Sequence, residues 1–186
     1  MDEMIKVETQ LPVTTQHSEA PDSIEHAENL TRKYLTFKVD EEDYGTDIDN
    51  IKEIIEYGAM TRVPLTPPHI RGVCNLRGNV IPIIDLAVRL DKTVNEVTKR
   101  TCIIIVELQD NDEIMDIGFV VDEVDEVMDI SAAQIEAAPQ FGADIRSDFI
   151  TGMGQVDGKF VILLSLEDVL SITELSELII NESDVA

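Results

Sequence analysis

Ile70-Arg71-Gly72-Val73-Cys74-Asn75-Leu76-Arg77-Gly78-Asn79-Val80-Ile81-Pro82-Ile83-Ile84-Asp85-Leu86 decides the fold of this chain, because its skeleton returns later in the sequence. Ile70, Gly72, Leu76, Gly78, Val80, Ile81, Ile83, Ile84, Leu86 and Leu90 recur as Ile150, Gly152, Val156, Gly158, Phe160, Val161, Leu163, Leu164, Leu166 and Leu170 at a constant offset of 80. Upstream, Gly45, Ile48, Asp49, Ile51, Glu53, Ile54 and Ile55 recur as Gly118, Val121, Asp122, Val124, Glu126, Val127 and Met128 at an offset of 73. A longer loop in the second copy accounts for the change. Glycines and acids coincide along with the aliphatics, so two copies of one β-rich unit follow each other, too few for a solenoid and each suited to a small barrel. Units of ~60 to 70 residues are marginal alone, so the two are expected to bury surface against each other.

Within the quoted stretch, Arg71 to Leu76 and Val80 to Ile84 are apolar runs separated by Arg77-Gly78-Asn79. That is a hairpin signal, since Gly and Asn tolerate the positive φ of a tight turn. Pro82 lacks a donor, so its strand should lie at an edge or leave that position unpaired. Working outward, Leu35, Phe37 and Val39 alternate with Thr36, Lys38 and Asp40 as in a half-buried strand, Asp40 to Gly45 supplies turn residues, and Thr46 to Ile48 resumes. Ile51, Ile54 and Ile55, three and four apart, predict a helical turn or irregular crossing over Asn50 to Glu56. Leu166, Val169, Leu170, Leu175, Leu178 and Ile179 predict a short helix after Leu164 and further helical turns toward Ile180.

The 186 residues carry 38 acids against 14 Lys plus Arg, a net charge of −24. Phosphate-backbone binding needs a basic face, so the charge argues against nucleic acid as a partner, and the same sign opposes anionic membrane surfaces. No apolar run reaches the ~18 to 20 residues of a membrane span. The start, Met1-Asp2-Glu3-Met4, has no secretory-signal character, so a cytoplasmic location is expected. Residues 1–29, with seven acids against one base, are expected to form a flexible acidic leader, leaving −18 on the rest. Residues 30–172 then make the twin-barrel domain, with subdomains near 30–95 and 96–172 and room for strands to cross between them, and 173–186 a partly helical tail.

Chemistry is sparse. Cys74 and Cys102 sit singly in apolar runs and form no CxxC pair, and His17, His26 and His69 make no metal-ligand spacing. Gly152, Gly154, Gly158 and Lys159 fail the phosphate-loop pattern, because Met153 stands where a glycine is required and Phe160 follows the lysine. Asp157-Gly158 is better explained as a hairpin turn. The acids Asp122, Glu123, Asp125, Glu126 and Asp129 lack the order of a calcium loop and read as a solvated face beside Val124, Val127 and Met128. No catalytic set, metal site or cofactor is expected. Arg71 and Arg77 stand out in so acidic a chain; an Arg fork suits bidentate capture of a partner's carboxylate, with an internal bridge of Arg77 to Asp85 or a nearby acid as the competing use.

Tyr34-Leu35-Thr36-Phe37, Glu42-Asp43-Tyr44-Gly45-Thr46-Asp47-Ile48, Ile51-Lys52-Glu53-Ile54-Ile55, the whole of Ile70 to Leu86, Arg89-Leu90, Gly118-Phe119-Val120-Val121-Asp122, Phe149 to Gly154 and Phe160 to Leu164 together resemble the CheW family of chemotaxis coupling proteins. The resemblance covers about residues 32 to 171, and the Asn75-Leu76-Arg77-Gly78 hairpin with its flanks is its specific part; Thr46 stands where an aliphatic residue is usual. It implies a mainly β fold of two SH3-like five-stranded barrels packed side by side, with short helices and a C-terminal helix. It also implies a non-catalytic adaptor linking the cytoplasmic tips of methyl-accepting chemoreceptors to the histidine kinase CheA. One barrel would pair with the kinase's CheW-like regulatory domain, and the cleft between barrels would receive the receptor tip. A CheW-like adaptor of pilus motility or second-messenger control is the alternative. Ile51, Glu53, Arg71, Gly72, Asn75, Leu76, Arg77 and Gly78 are the positions it marks for partner contact, with Arg77 foremost. The free protein is expected to be monomeric, without inserting into membrane or binding nucleic acid.

Overall fold

The computed structural model describes residues 30–110, 113–138 and 149–170. The expected leader (1–29) and tail (173–186) lie outside them. Among the described residues eleven strands form two sheets. Sheet A holds β1 (Thr31–Val39), β2 (Glu42–Asp47), β8 (Glu123–Ser131), β9 (Ile135–Glu136), β10 (Ile150–Val156) and β11 (Lys159–Leu164), in the order β8-β1-β2-β11-β10-β9. Sheet B holds β3 (Ile51–Glu56), β4 (Ile70–Leu76), β5 (Asn79–Asp85), β6 (Cys102–Asp110) and β7 (Glu113–Val121), in the order β3-β6-β7-β5-β4. Each sheet curls into an SH3-like barrel, and the two pack side by side.

The sequence repeat is a repeat of pairings. β5 runs parallel to β7 with Ile83 opposite Gly118, and β11 runs parallel to β2 with Leu163 opposite Gly45. The repeated glycine is required by this crossing: a Cβ on Gly118 would lie 2.5 Å from Ile83 Cδ1, and one on Gly45 3.0 Å from Leu163 Cδ2. Both copies also shift register at the same place, between Ile70 and Gly72 and between Ile150 and Gly152. Because β1 and β2 complete the barrel of β8–β11, while β6 and β7 complete that of β3–β5, each barrel takes its opening hairpin from one copy and its remaining strands from the other. A boundary near residue 95 therefore separates the copies, not the barrels.

Three cores follow from strand alternation. Ile81, Ile83, Ile103 and Ile105 fill barrel B, and Tyr34, Ile130, Val161 and Leu163 fill barrel A. The opposite faces of the same strands, among them Leu35, Phe37, Tyr44, Ile84, Ile104, Val106 and Phe119, meet in a third core between the barrels. The unbroken run Ile103 to Val106 is apolar because β6 is buried on both faces, odd positions inside the barrel and even ones outside it.

Several local expectations need correction. Asn50 to Glu56 is not helical: a 3₁₀ turn at Ile48–Asn50 leads into β3, where Ile51, Glu53 and Ile55 are half-buried and Lys52, Ile54 and Glu56 exposed. A strand and a helix share the spacing of four between Ile51 and Ile55, and Ile54, on the other face, is 41% exposed. The β1–β2 turn is confined to Asp40 and Glu41, both at positive φ. The second hairpin turns on Arg77 (φ 53) and Gly78 (φ 95), with Asn79 already in β5. β5 is interior and not an edge, and the other expected outcome holds, the position of Pro82 being left unpaired. Val73, opposite it, directs its own N–H and C=O to Thr61, and the β5–β7 ladder begins at Ile83. Leu166 to Leu170 forms a turn, not a helix, with Leu166, Val169 and Leu170 buried between the barrels; the rest of the expected helix lies outside the described residues. A short helix that the sequence pattern did not mark, α1 (Leu86–Arg89), occupies the matching place after β5, with Asp85 as its N-cap.

Candidate partner-binding surface

β3 and β4 are the two edges of sheet B, and of the marked residues Glu53, Asn75, Leu76, Arg77 and Gly78 gather where these edges face each other, while Ile51, Arg71 and Gly72 lie elsewhere. The Asn75 side-chain oxygen accepts the Gly78 N–H at 3.0 Å, fixing the turn that projects Arg77. From that turn the Arg77 guanidinium donates two parallel bonds to Glu53 on β3, at 3.0 and 2.8 Å. Glu53 is largely covered and Arg77 is 76% exposed. The bidentate edge of the guanidinium is therefore filled from within, by Glu53 and not Asp85, which leaves the remaining N–H groups and the flat face open to solvent. A pair this open to water contributes at most about 1 kcal/mol to folding. Leu76 and Ile55 pack beneath it on the barrel B core, and Ile51 packs on the inter-barrel core.

Arg71 and Gly72 have other duties. Arg71 Nε lies 3.0 Å from Asp85 Oδ2, out of line for a hydrogen bond but well within ion-pair range, and the Asp85 carboxylate is only 4% exposed. Asp85 also accepts the Val88 N–H at the start of α1, and its own N–H goes to the His69 carbonyl. Arg71 thus neutralises a structural carboxylate. Gly72 (φ +145) is buried against the loop before β4: a Cβ there would sit 2.3 Å from the Thr61 carbonyl oxygen. That closeness lets Thr61 and Val73 exchange two backbone bonds of 2.9 and 2.8 Å.

The clamped loop makes one wall of an open groove of about 910 Å3. Thr61, Arg62, Val63, Pro64 and Thr66 form that wall, Ile70, Val73, Val80 and Pro82 the floor, and Ile114, Met115 and the Lys52–Asp116 ion pair (2.9 Å) the far side. Val80 is 50% and Ile114 65% exposed beside it. Every lining residue of this groove belongs to barrel B. The sequence reading missed this groove. Its one legible trace was Gly72, whose conformation implies a second backbone lying against it.

Side chains that resemble chemistry are engaged in structure. Asp122 Oδ2 accepts the Asp40 N–H and the Asn95 side-chain amide, Glu123 pairs with Arg100, and Asp129 pairs with Lys33. Among the described residues no cluster of His, Cys, Asp and Glu is arranged to hold a metal ion. Cys74 and Cys102 are free thiols whose ionisation burial pushes up, which lowers their reactivity.

Glu42 ties β2 to the segment that follows α1 through Lys92 (2.7 Å) and accepts the Tyr44 hydroxyl. The Lys92 hydrogen bond is the main reason its carboxyl is held below the usual range, burial opposing it. A carboxyl depressed by folding stabilises above its unfolded pKa, and that contribution is lost as pH falls through the folded value. Glu42→Gln should therefore lower Tm slightly at neutral pH, the side chain being half exposed, with the two Tm curves converging once the pH has fallen below the ordinary glutamate range. Parallel curves across that range would remove Glu42 from the acid response.

Twin β barrels around a shared core, with polar residues committed to internal bridges and an apolar groove left open on one barrel, define a protein-binding scaffold. A family profile described as the CheW-like domain matches residues 33–174, and the chain belongs to the CheW family of chemotaxis coupling adaptors. The chemotaxis protein CheW of Klebsiella aerogenes is 34% identical over 149 residues, which cover 80% of this chain and 87% of that protein. The chemotaxis protein CheW of Bacillus subtilis is 38% identical over 108 residues, 58% of this chain and 67% of that one. The solved structure of the scaffolding protein TtCheW from Thermoanaerobacter tengcongensis superposes with a TM-score of 0.68 at 33% identity, covering 78% of this chain and 96% of that one. The family is one of non-catalytic scaffolds, and among the described residues no helix is long and apolar enough to cross a membrane.

Proposed function

We propose that this chain couples the cytoplasmic tips of methyl-accepting chemoreceptors to the histidine kinase CheA, and that barrel B is its docking side. The observation that carries this is the groove beside the Arg77 turn, with the exposed aliphatic side chains of Val80 and Ile114 in its lining. Exposed apolar surface with a polar rim marks interaction sites. The groove receives the CheW-like regulatory domain of the kinase; the Glu53–Arg77 pair and Ile54 on the β3 edge face the next partner in the assembly. Such contacts are individually modest, and an array gains strength by linking many of them. The free protein is a cytoplasmic monomer, its strong negative charge opposing self-association.

The test is binding of the full chain to the kinase regulatory domain and to a receptor signalling fragment by calorimetry, followed by ternary pull-down. Arg77→Asp should weaken the complex at least tenfold, since it places two carboxylates where a paired guanidinium stood. Its Tm should stay within a few degrees of the parent, because the pair contributes little to folding. Normal binding by a folded Arg77→Asp chain would strike Arg77 from the contact surface.

A further inference from the structure

Leu65 combines two features that no other large apolar residue among those described shares: its side chain is fully exposed (105%) and its φ is +63. The remaining non-glycine residues at positive φ, Asp40, Glu41, Arg77, Asp91 and Asp157, are all polar. For a bulky side chain this conformation is an outlier, and the position after Pro64 in a turn of this kind ordinarily takes Gly or Asn. The loop enforces the strain. Thr66 Oγ1 donates to the Val63 carbonyl (2.9 Å), the Ile70 N–H donates to the Pro67 carbonyl (2.9 Å), Thr61 is clamped to Val73, and Pro64, Pro67 and Pro68 restrict φ. Within the free protein leucine gains nothing here, neither burial nor a backbone suited to it, while the residues on either side of it line the groove.

We infer that Leu65 is a preformed anchor that enters an apolar pocket on the protein occupying the groove, and that this pocket carries a carboxylate at its rim. The carboxylate follows from Arg62, which lines the groove, is exposed, and among the described residues has no ion-pair partner although acids outnumber bases 38 to 14 in the chain. A rigid loop that already holds its anchor loses little entropy on binding, which compensates for the strain kept in the free state. The inference rests on the reading of the groove as the kinase-facing surface, so the kinase regulatory domain is the probe.

The experiment is calorimetric titration of that domain with the full chain and with Leu65→Asn, Leu65→Met and Arg62→Glu variants. Leu65→Asn suits the turn better than leucine, so its Tm should equal or exceed the parent's, while affinity falls ten- to a hundredfold as expected for an unburied leucine. Leu65→Met should keep most of the affinity, and Arg62→Glu should lower it with a weaker dependence on salt. Equal binding by the parent and Leu65→Asn overturns this inference alone. Failure of the parent chain to bind overturns the kinase-facing reading and the anchor with it.

Discussion

Gly72→Ala should cost about 3 to 5 kcal/mol of folding stability, far more than the methyl group suggests. The new Cβ would stand 2.3 Å from the Thr61 carbonyl oxygen and 2.9 Å from its carbon, both backbone atoms that cannot rotate away. At φ +145 the residue is also in a region that side chains with a Cβ avoid. Relief requires lifting the loop from β4, which breaks both Thr61–Val73 bonds and carries Arg62, Val63 and Pro64 away from the groove. Stability and partner affinity should fall together. Gly78→Ala is the control: φ is +95, but a Cβ there meets nothing within 4 Å, so only the backbone preference of about 1 to 2 kcal/mol is lost. Urea titration of the two variants checks the contrast. A Gly72→Ala chain within 1 kcal/mol of the parent would show that the clamp is dispensable.

The repeat was legible because its glycines and aliphatics answer to one geometric demand, a parallel crossing of strands that leaves no room for a side chain at Gly45 or Gly118. That strands could cross between the subdomains was expected, but which ones do was not legible, since β2 would show the same alternation whichever barrel it joined. Ile51, Ile54 and Ile55 misled because a spacing of four is compatible with either period, and only the pairing with β6 settles it. In the site, Arg77 and Glu53 were both legible as marked positions, but their bond to each other depends on how the barrel seam closes. Leu65 and Arg62 carry no pattern at all: a leucine among prolines acquires meaning only once its φ and exposure are known.

The two arginines of the signature should separate under mutation, Arg71 through the fold and Arg77 through the partner. Arg71→Met leaves the Asp85 carboxylate, 4% exposed, without its cation, though it still accepts the Val88 N–H. Breaking a buried pair by removing one member costs about 3 to 5 kcal/mol, and since Arg71 keeps a quarter of its side chain in water the expectation is about 2 to 3. The double variant Arg71→Met with Asp85→Asn removes the unpaired charge while the amide oxygen can still cap α1. It should return to within about 1 kcal/mol of the parent, because a neutral replacement of both members leaves no buried charge uncompensated. The physical point is that a buried ion pair is expensive to halve and cheap to remove, whereas an exposed one such as Arg77–Glu53 is cheap to halve for folding and matters only to whatever docks on it. Affinity for the kinase domain, measured where both chains are folded, should therefore change less than about threefold for the double variant. If Arg71→Met instead keeps its stability and loses binding, Arg71 reaches the partner directly and the division of labour proposed between the two arginines is wrong.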